Sequence, residues 1–164
     1  MTTFATLPRR ALCLVLAVLF MAVAGCTTTM APTGGGGGLS PGLVAAMDRP
    51  GAQLNRAEAL GLINAYRASR NVPALTADAS LDIAAQALAE RYASASNRPS
   101  LPVGVIAMPL SAGYANFAET FSGWRNSPGD ARVLAMPSAR RAGLGVAYNA
   151  GSAYGVHWVL LLDD

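Results

Sequence analysis

The stretch Gly143-Leu144-Gly145-Val146-Ala147-Tyr148-Asn149-Ala150-Gly151-Ser152-Ala153-Tyr154-Gly155-Val156-His157-Trp158-Val159-Leu160-Leu161-Leu162 decides the fold. Leu144, Val146 and Tyr148 alternate with Gly145 and Ala147, the two-residue period of a strand, and Val156 to Leu162 is nearly continuous apolar sequence. Asn149-Ala150-Gly151-Ser152 supplies a turn between them, so the pattern predicts an antiparallel pair. A strand that is apolar on both faces must be covered on both faces. Helices packed on either side of a small antiparallel sheet meet that need, which makes the domain α+β.

Working outward, the helices that would supply the cover carry their own start signals. Asn116 stands three residues before Glu119, and Phe117, Phe121 and Trp124 at i, i+4 and i+7 give the following helix an apolar face. Ser127-Pro128-Gly129-Asp130 opens a short helix that ends before Pro137, with Ser at the cap, Pro at the first position and an acid at the third. Further back, Asp78 caps a helix in which Leu81, Ala84, Ala85, Leu88, Tyr92 and Ala95 form the apolar stripe, while Asp82, Gln86 and Glu90 fall elsewhere. Asn55 with Glu58 opens a helix over about 56–70, with Ala59, Leu62, Ile63 and Tyr66 on one face, stopping near Asn71 because Pro73 disfavours helix at Val72. Between the second and third of these helices, residues 97–113 hold three Pro, two Gly and the apolar patch Val103–Leu110, and predict a loop with one short strand.

The amino terminus has a different character. Ala11 to Ala24 is a continuous apolar run of fourteen residues, preceded by Arg9 and Arg10. As a helix it would span about 21 Å, short of the ~30 Å of a bilayer core, so residues 1–25 read as a secretion signal. Val23-Ala24-Gly25-Cys26 resembles the bacterial lipobox, in which the Cys receives a diacylglycerol before cleavage and then carries acyl chains such as palmitate. Removal of the signal discards Cys13 and leaves Cys26 as the one thiol of an exported chain, and acylation accounts for it. The residue after it, Thr27, is not Asp; by resemblance to bacterial sorting rules this favours the outer membrane where the organism has one. Residues 26–42 are rich in Thr, Gly, Ser and Pro, with five consecutive Gly at 34–38, and read as the acylated Cys followed by a flexible tether. The remaining stretch, 43–164, is one domain.

Charge excludes one class of partner. The chain carries a formal +3 from 12 basic residues, all Arg, against 9 acids, but Arg9 and Arg10 leave with the signal while every acid lies beyond it. The mature balance is ten against nine, with no basic stripe, so nucleic acid is not expected as a partner.

The order of these pieces resembles the CAP superfamily of cysteine-rich secretory, antigen 5 and pathogenesis-related proteins, especially its bacterial branch. Leu62-Ile63-Asn64-Ala65-Tyr66-Arg67, then Pro73-Ala74-Leu75 and Asp78 to Ala89, is similar to the family's opening helix pair. Trp124-Arg125-Asn126-Ser127-Pro128-Gly129 is similar to its Trp-x-x-Ser-Pro-Gly element, and Gly143 to Ala147 with Tyr154 to Leu162 to its final hairpin. The resemblance spans about residues 54–162 and implies an α-β-α sandwich. It also implies a cleft in which two His and nearby acids hold a divalent metal, and here the chain departs from its relatives. Asp130 stands where the His after Ser-Pro-Gly is usual, Met108 stands where the Glu of the Gly-Glu-Asn-Ile segment is usual, and Tyr92 to Leu110 contains no His.

A zinc site draws on Cys, His and carboxylate ligands, and a mature chain with one His and an acylated Cys cannot assemble the usual set; no metal or other cofactor is expected. Asp130, at the third position of its helix, is better explained by the positive end of the dipole. His157 is the one candidate general base, with Asp130 a second weak candidate for catalysis, but it lies in an apolar strand. Ser122, Ser127 and Ser152 have no Gly-x-Ser-x-Gly elbow, Ser127 reads as a cap, and the spacing of Glu119 and Asp130 is explained by helix starts. The resulting expectation is a lipid-anchored envelope protein, held to the membrane through Cys26, whose CAP-like domain binds an envelope protein or an apolar or cell-wall ligand at a cleft lined by Met108, Tyr114, Trp124 and Asp130. A metal-independent hydrolase using His157 and a structural envelope component without a specific ligand are the alternatives.

Overall fold

The computed structural model describes Met1, residues 38–95 and residues 97–164. Gly38–Asp164 forms one compact unit. The signal, Cys26 and the glycine run up to 37 therefore lie outside the described residues. Among the described residues no helix is long and apolar enough to cross a membrane.

This unit runs α1 (Pro41–Val44), α2 (Arg56–Ser69), β1 (Thr76–Ala77), α3 (Ala79–Ala95), β2 (Leu110–Ala112), α4 (Phe117–Asn126), α5 (Pro128–Leu134), β3 (Arg141–Tyr148) and β4 (Val156–Asp163). It is an α+β fold with four strands in the order β1-β3-β4-β2. The expected hairpin is present, β3 and β4 pairing antiparallel from Arg141↔Asp163 to Tyr148↔Val156, and β2 joins β4 antiparallel. The sheet differs from the expected antiparallel one at its edge, where β1 lies parallel to β3 through Thr76↔Arg141 and Ala77↔Ala142. Two exposed residues carry no readable period, which is why this strand leaves no mark in the sequence. The helix at Pro41 also begins two residues inside the expected tether, and it seats Leu43 in the core.

All eight residues of β4 are buried, as a strand covered on both faces must be. Trp158, Leu160 and Leu162 join Leu144 and Val146 of β3 in one cluster with Ile63 of α2 and with Phe117, Phe121 and Trp124 of α4. Val159 and Leu161 point the other way, against Leu81, Ala85, Leu88 and Ala89 of α3. The α3 stripe follows this contact, with Ala93 buried and Ala95 exposed.

Glycine sets how close α3 can come. A methyl group on Gly143 would stand 2.1 Å from the backbone of Leu81, and one on Gly145 would stand 2.3 Å from the carbonyl of Ala85. Leu81 and Ala85 are one helical turn apart and the glycines are two strand residues apart, rises of about 6 Å and ~6.7 Å, so helix and strand stay in step. The same match carries the polar row beside the stripe. The Leu144 N–H donates to Asp82 (2.8 Å), and Gln86 donates to the Val146 carbonyl (2.9 Å) while accepting from its N–H (3.4 Å). Arg56 of α2 donates to the Leu144 carbonyl (2.8 Å). Side chains thus satisfy the β3 edge that β1 is too short to cover, and Asp82 and Gln86 face the sheet rather than only water.

The caps follow the sequence at three starts and fail at one. Asn55 accepts from the Glu58 N–H (3.2 Å), Asp78 from Leu81 (3.1 Å) and Asn116 from Glu119 (3.0 Å). Ser127 holds the cap position of α5, but its hydroxyl makes no capping bond. Arg67, unremarked as a core residue by any periodicity, is fully buried. It donates to the carbonyls of Pro73 (2.7 Å), Leu134 (2.7 Å), Met136 (3.1 Å) and Ala139 (3.1 Å), tying the exit of α2 to the negative end of α5. Burial, and Arg140 nearby, push its guanidinium below its ordinary value.

Candidate functional site

The four residues expected to line one cleft are divided by the sheet. Met108 is partly buried against the α3 cluster, on the side of Val159 and Leu161. Trp124 is 2% exposed in the opposite cluster and offers no open surface. Asp130 is half-buried at the third position of α5. Tyr114, by contrast, is 40% exposed and stands at the mouth of a groove of about 480 Å³ lined by Glu119, Ser122, Gly123, Asn126 and Ser127.

That groove is built from three local features. Gly113 turns the chain with φ +96° and donates to the Val156 carbonyl (2.9 Å), which brings the chain back after β2. The buried indole of Trp158 then donates to the Tyr114 carbonyl (2.9 Å), pinning the backbone so that the ring alone is free to reach outward. The ring lies across Gly123, where a methyl would stand 2.8 Å from Cε2. A glycine inside a helix is unfavourable by about 1 kcal/mol relative to alanine, so its presence mid-helix is the sequence signal for this approach. The other signal is the polar row Glu119, Ser122 and Asn126, opposite Phe117, Phe121 and Trp124 on the same helix. Both signals are local to the sequence, and neither by itself specifies a groove.

Polar groups along the groove retain free hydrogen-bonding capacity. Glu119 accepts from the Ala115 N–H through Oε2 (3.2 Å), leaving Oε1. Asn126 reaches Ser122 only at 3.5 Å. Ser127, whose hydroxyl makes no capping bond, lines the same wall.

His157 lies elsewhere, on the α3 face of β4, and is fully buried. Its Nε2 is 3.3 Å from the Ser152 hydroxyl, and the ring of Tyr92 meets it edge-on at 4.6 Å. Among the described residues Nδ1 has no hydrogen-bond partner. Burial pushes the imidazole below its ordinary value, against a smaller opposing effect of the Gly155 backbone, so it is neutral at pH 7. A serine beside a neutral imidazole is two-thirds of a hydrolytic triad. The orienting carboxylate on Nδ1 is missing, and an imidazole with no exposed surface cannot reach a substrate proton. Among the described residues no group of three His, Cys, Asp or Glu side chains is placed to hold a metal ion.

Comparison with known proteins agrees with the sandwich. The sequence profile of the cysteine-rich secretory protein family, CAP, matches residues 60–162. No curated protein sequence matches the chain. Among solved structures, MpPR-1i superposes with a TM-score of 0.55 at 20% identity, over 66% of this chain and 89% of that one. An extracellular SCP-domain protein from Bacillus anthracis gives 0.52 at 18% identity, over 66% of this chain and 40% of its own length. The hookworm platelet inhibitor gives 0.50 at 16% identity, over 71% and 72%. At these identities the likeness is one of fold.

Proposed function

We propose, for a chain that belongs to the cysteine-rich secretory protein (CAP) family, that it is an envelope-anchored lipoprotein whose domain acts by binding and not by catalysis. The observation that carries this reading is the position of the chain's one histidine, sealed inside the sheet and away from the one groove that Tyr114 opens. With Met108 and Asp130 where the resemblance to the family implies Glu and His, the ligand set that would make such a metal cleft has no imidazole to draw on. What remains is a covered sheet beside a groove that sets an aromatic ring among short polar side chains, suited to an envelope protein or a cell-wall ligand.

The anchor is Cys26, acylated after removal of residues 1–25, and Thr27 favours the outer membrane where there is one. Stable attachment follows from two or three acyl chains, since one holds only marginally. The tether of fifteen or so residues would let the domain sit roughly 20 Å from the lipid.

Two measurements test the reading separately. Zinc titrated calorimetrically into the purified chain is expected to give no stoichiometric site of about 1 μM affinity or better; such a site would overturn the binding-only assignment. Cys26→Ser is expected to remain unprocessed or to leave the membrane fraction, and trimming and fractionation like the parent chain would overturn the anchor.

A further inference from the structure

Resting on the binding reading above, we infer that the Tyr114 groove is a saccharide site and that its ligand is a neutral oligosaccharide. Sugar rings present a face of weakly positive C–H groups and a rim of hydroxyls. The first packs on the negative face of an aromatic ring, and the second needs short polar side chains that both donate and accept. The groove supplies both in one place. Tyr114 is an exposed ring with a fixed backbone, backed by Gly123 so that it lies along the helix instead of standing free. Glu119, Ser122, Asn126 and Ser127 form the polar side.

Two details favour this ligand over an apolar one. Ser127 sits at a helix start where serine ordinarily caps, yet its hydroxyl makes no capping bond, and the residue lines the groove. Glu119 keeps one carboxylate oxygen unused, and a carboxylate accepting from vicinal hydroxyls forms the stronger, charge-assisted type of hydrogen bond. A groove of about 480 Å³ is within the roughly 300–1,000 Å³ of small-ligand sites. The one carboxylate and the absence of any Arg from the lining set the charge preference: uronic acids are repelled, neutral sugars are not.

The test uses the full chain in a polyoxyethylene detergent, which carries no sugar, titrated with cellotriose, triacetylchitotriose and trigalacturonate and followed by saturation-transfer NMR and calorimetry. At least one neutral trisaccharide is expected to bind with a Kd of about 1 mM or tighter, and the acidic one at least about tenfold more weakly. Tyr114→Ala is expected to weaken binding about tenfold or more with the unfolding midpoint of the chain retained. Tyr114→Phe, which keeps the ring, is expected to stay within about threefold, and Asn126→Ala, an exposed position, to weaken it several-fold. The assignment is overturned if neither neutral sugar saturates the protein at about 10 mM, if trigalacturonate binds most tightly, or if Tyr114→Ala binds like the parent. Capture of an envelope protein that depends on Tyr114, without sugar binding, overturns the saccharide assignment and leaves the binding reading standing; a stoichiometric zinc site overturns the binding reading instead.

Discussion

Helices α3 and α4 cover opposite faces of one sheet by opposite means. Helix α3 comes so close that Gly143 and Gly145 have no room for a methyl, and its polar row is spent on the β3 edge through Asp82 and Gln86. Helix α4 stands off on large aromatic side chains, Phe117 meeting Trp158 at 5.9 Å between ring centres, and its polar row is left to line a groove. The comparison teaches where a small domain keeps rigidity and where it keeps capacity to bind. Close backbone contact leaves nothing to rearrange, whereas a face built on side chains leaves polar groups with hydrogen bonds still to make.

The sharpest way to break this contrast is to add the same methyl to both faces. Gly145→Ala drives a Cβ into the Ala85 carbonyl, part of the helix backbone, and is expected to destabilise by about 3 kcal/mol or to prevent folding. Gly123→Ala meets first the ring of Tyr114, which is partly exposed and can swing away, and gains helix propensity; its net effect is expected within about 1 kcal/mol. Denaturant unfolding of the pair measures the difference, and equal effects would mean that the two faces are packed alike.

Arg67 is expected to rank with Gly145. Arg67→Ala leaves four carbonyls without their donor at a buried site and is expected to cost about 3–5 kcal/mol, with Arg67→Lys recovering only part because one ammonium cannot span the fork. Next comes the edge: Gln86→Ala removes both bonds to Val146 and is expected to cost about 1–2 kcal/mol, with faster amide exchange at Val146. Retained protection at Val146 would show that the side chain does not cover that edge.

The smallest expected effects are in acid. The folded value of His157 is lowered, so the unfolded chain takes up the proton first; stability is full above the ordinary pKa of 6.5 and falls as pH drops below it. His157→Gln is expected to remove that slope in unfolding measured between about pH 6.5 and 4.5. Asp78 behaves in the carboxylate sense. The Ser80 side chain, then the Leu81 N–H, hold it at about 2 against 3.8, so its contribution is present above 3.8 and fades as pH falls towards 2. Asp78→Ala is expected to flatten stability only in that lower window.

Much of the scaffold was legible because its signals are local. Asn55, Asp78 and Asn116 each cap within three residues of themselves, and the all-buried β4 announced itself by having no polar face. The groove was only half legible. The sequence points to Tyr114, but it carries no sign that the sheet lies between the clusters of Met108 and Trp124, and a serine before Pro128 predicts a cap because residue type says nothing about where a hydroxyl turns.

By itself, then, the amino-acid order determined the element types, the hairpin, the helix starts and the family resemblance, since each depends on period or on neighbours a few residues apart. Tertiary structure alone decided that Arg67 is a core residue, that Asp82 and Gln86 serve a strand edge and that His157 is sealed. Those outcomes depend on groups brought together from distant parts of the chain, such as Arg67 with Leu134 and Asp82 with Leu144. The period of a single helix or strand carries no information about its partners.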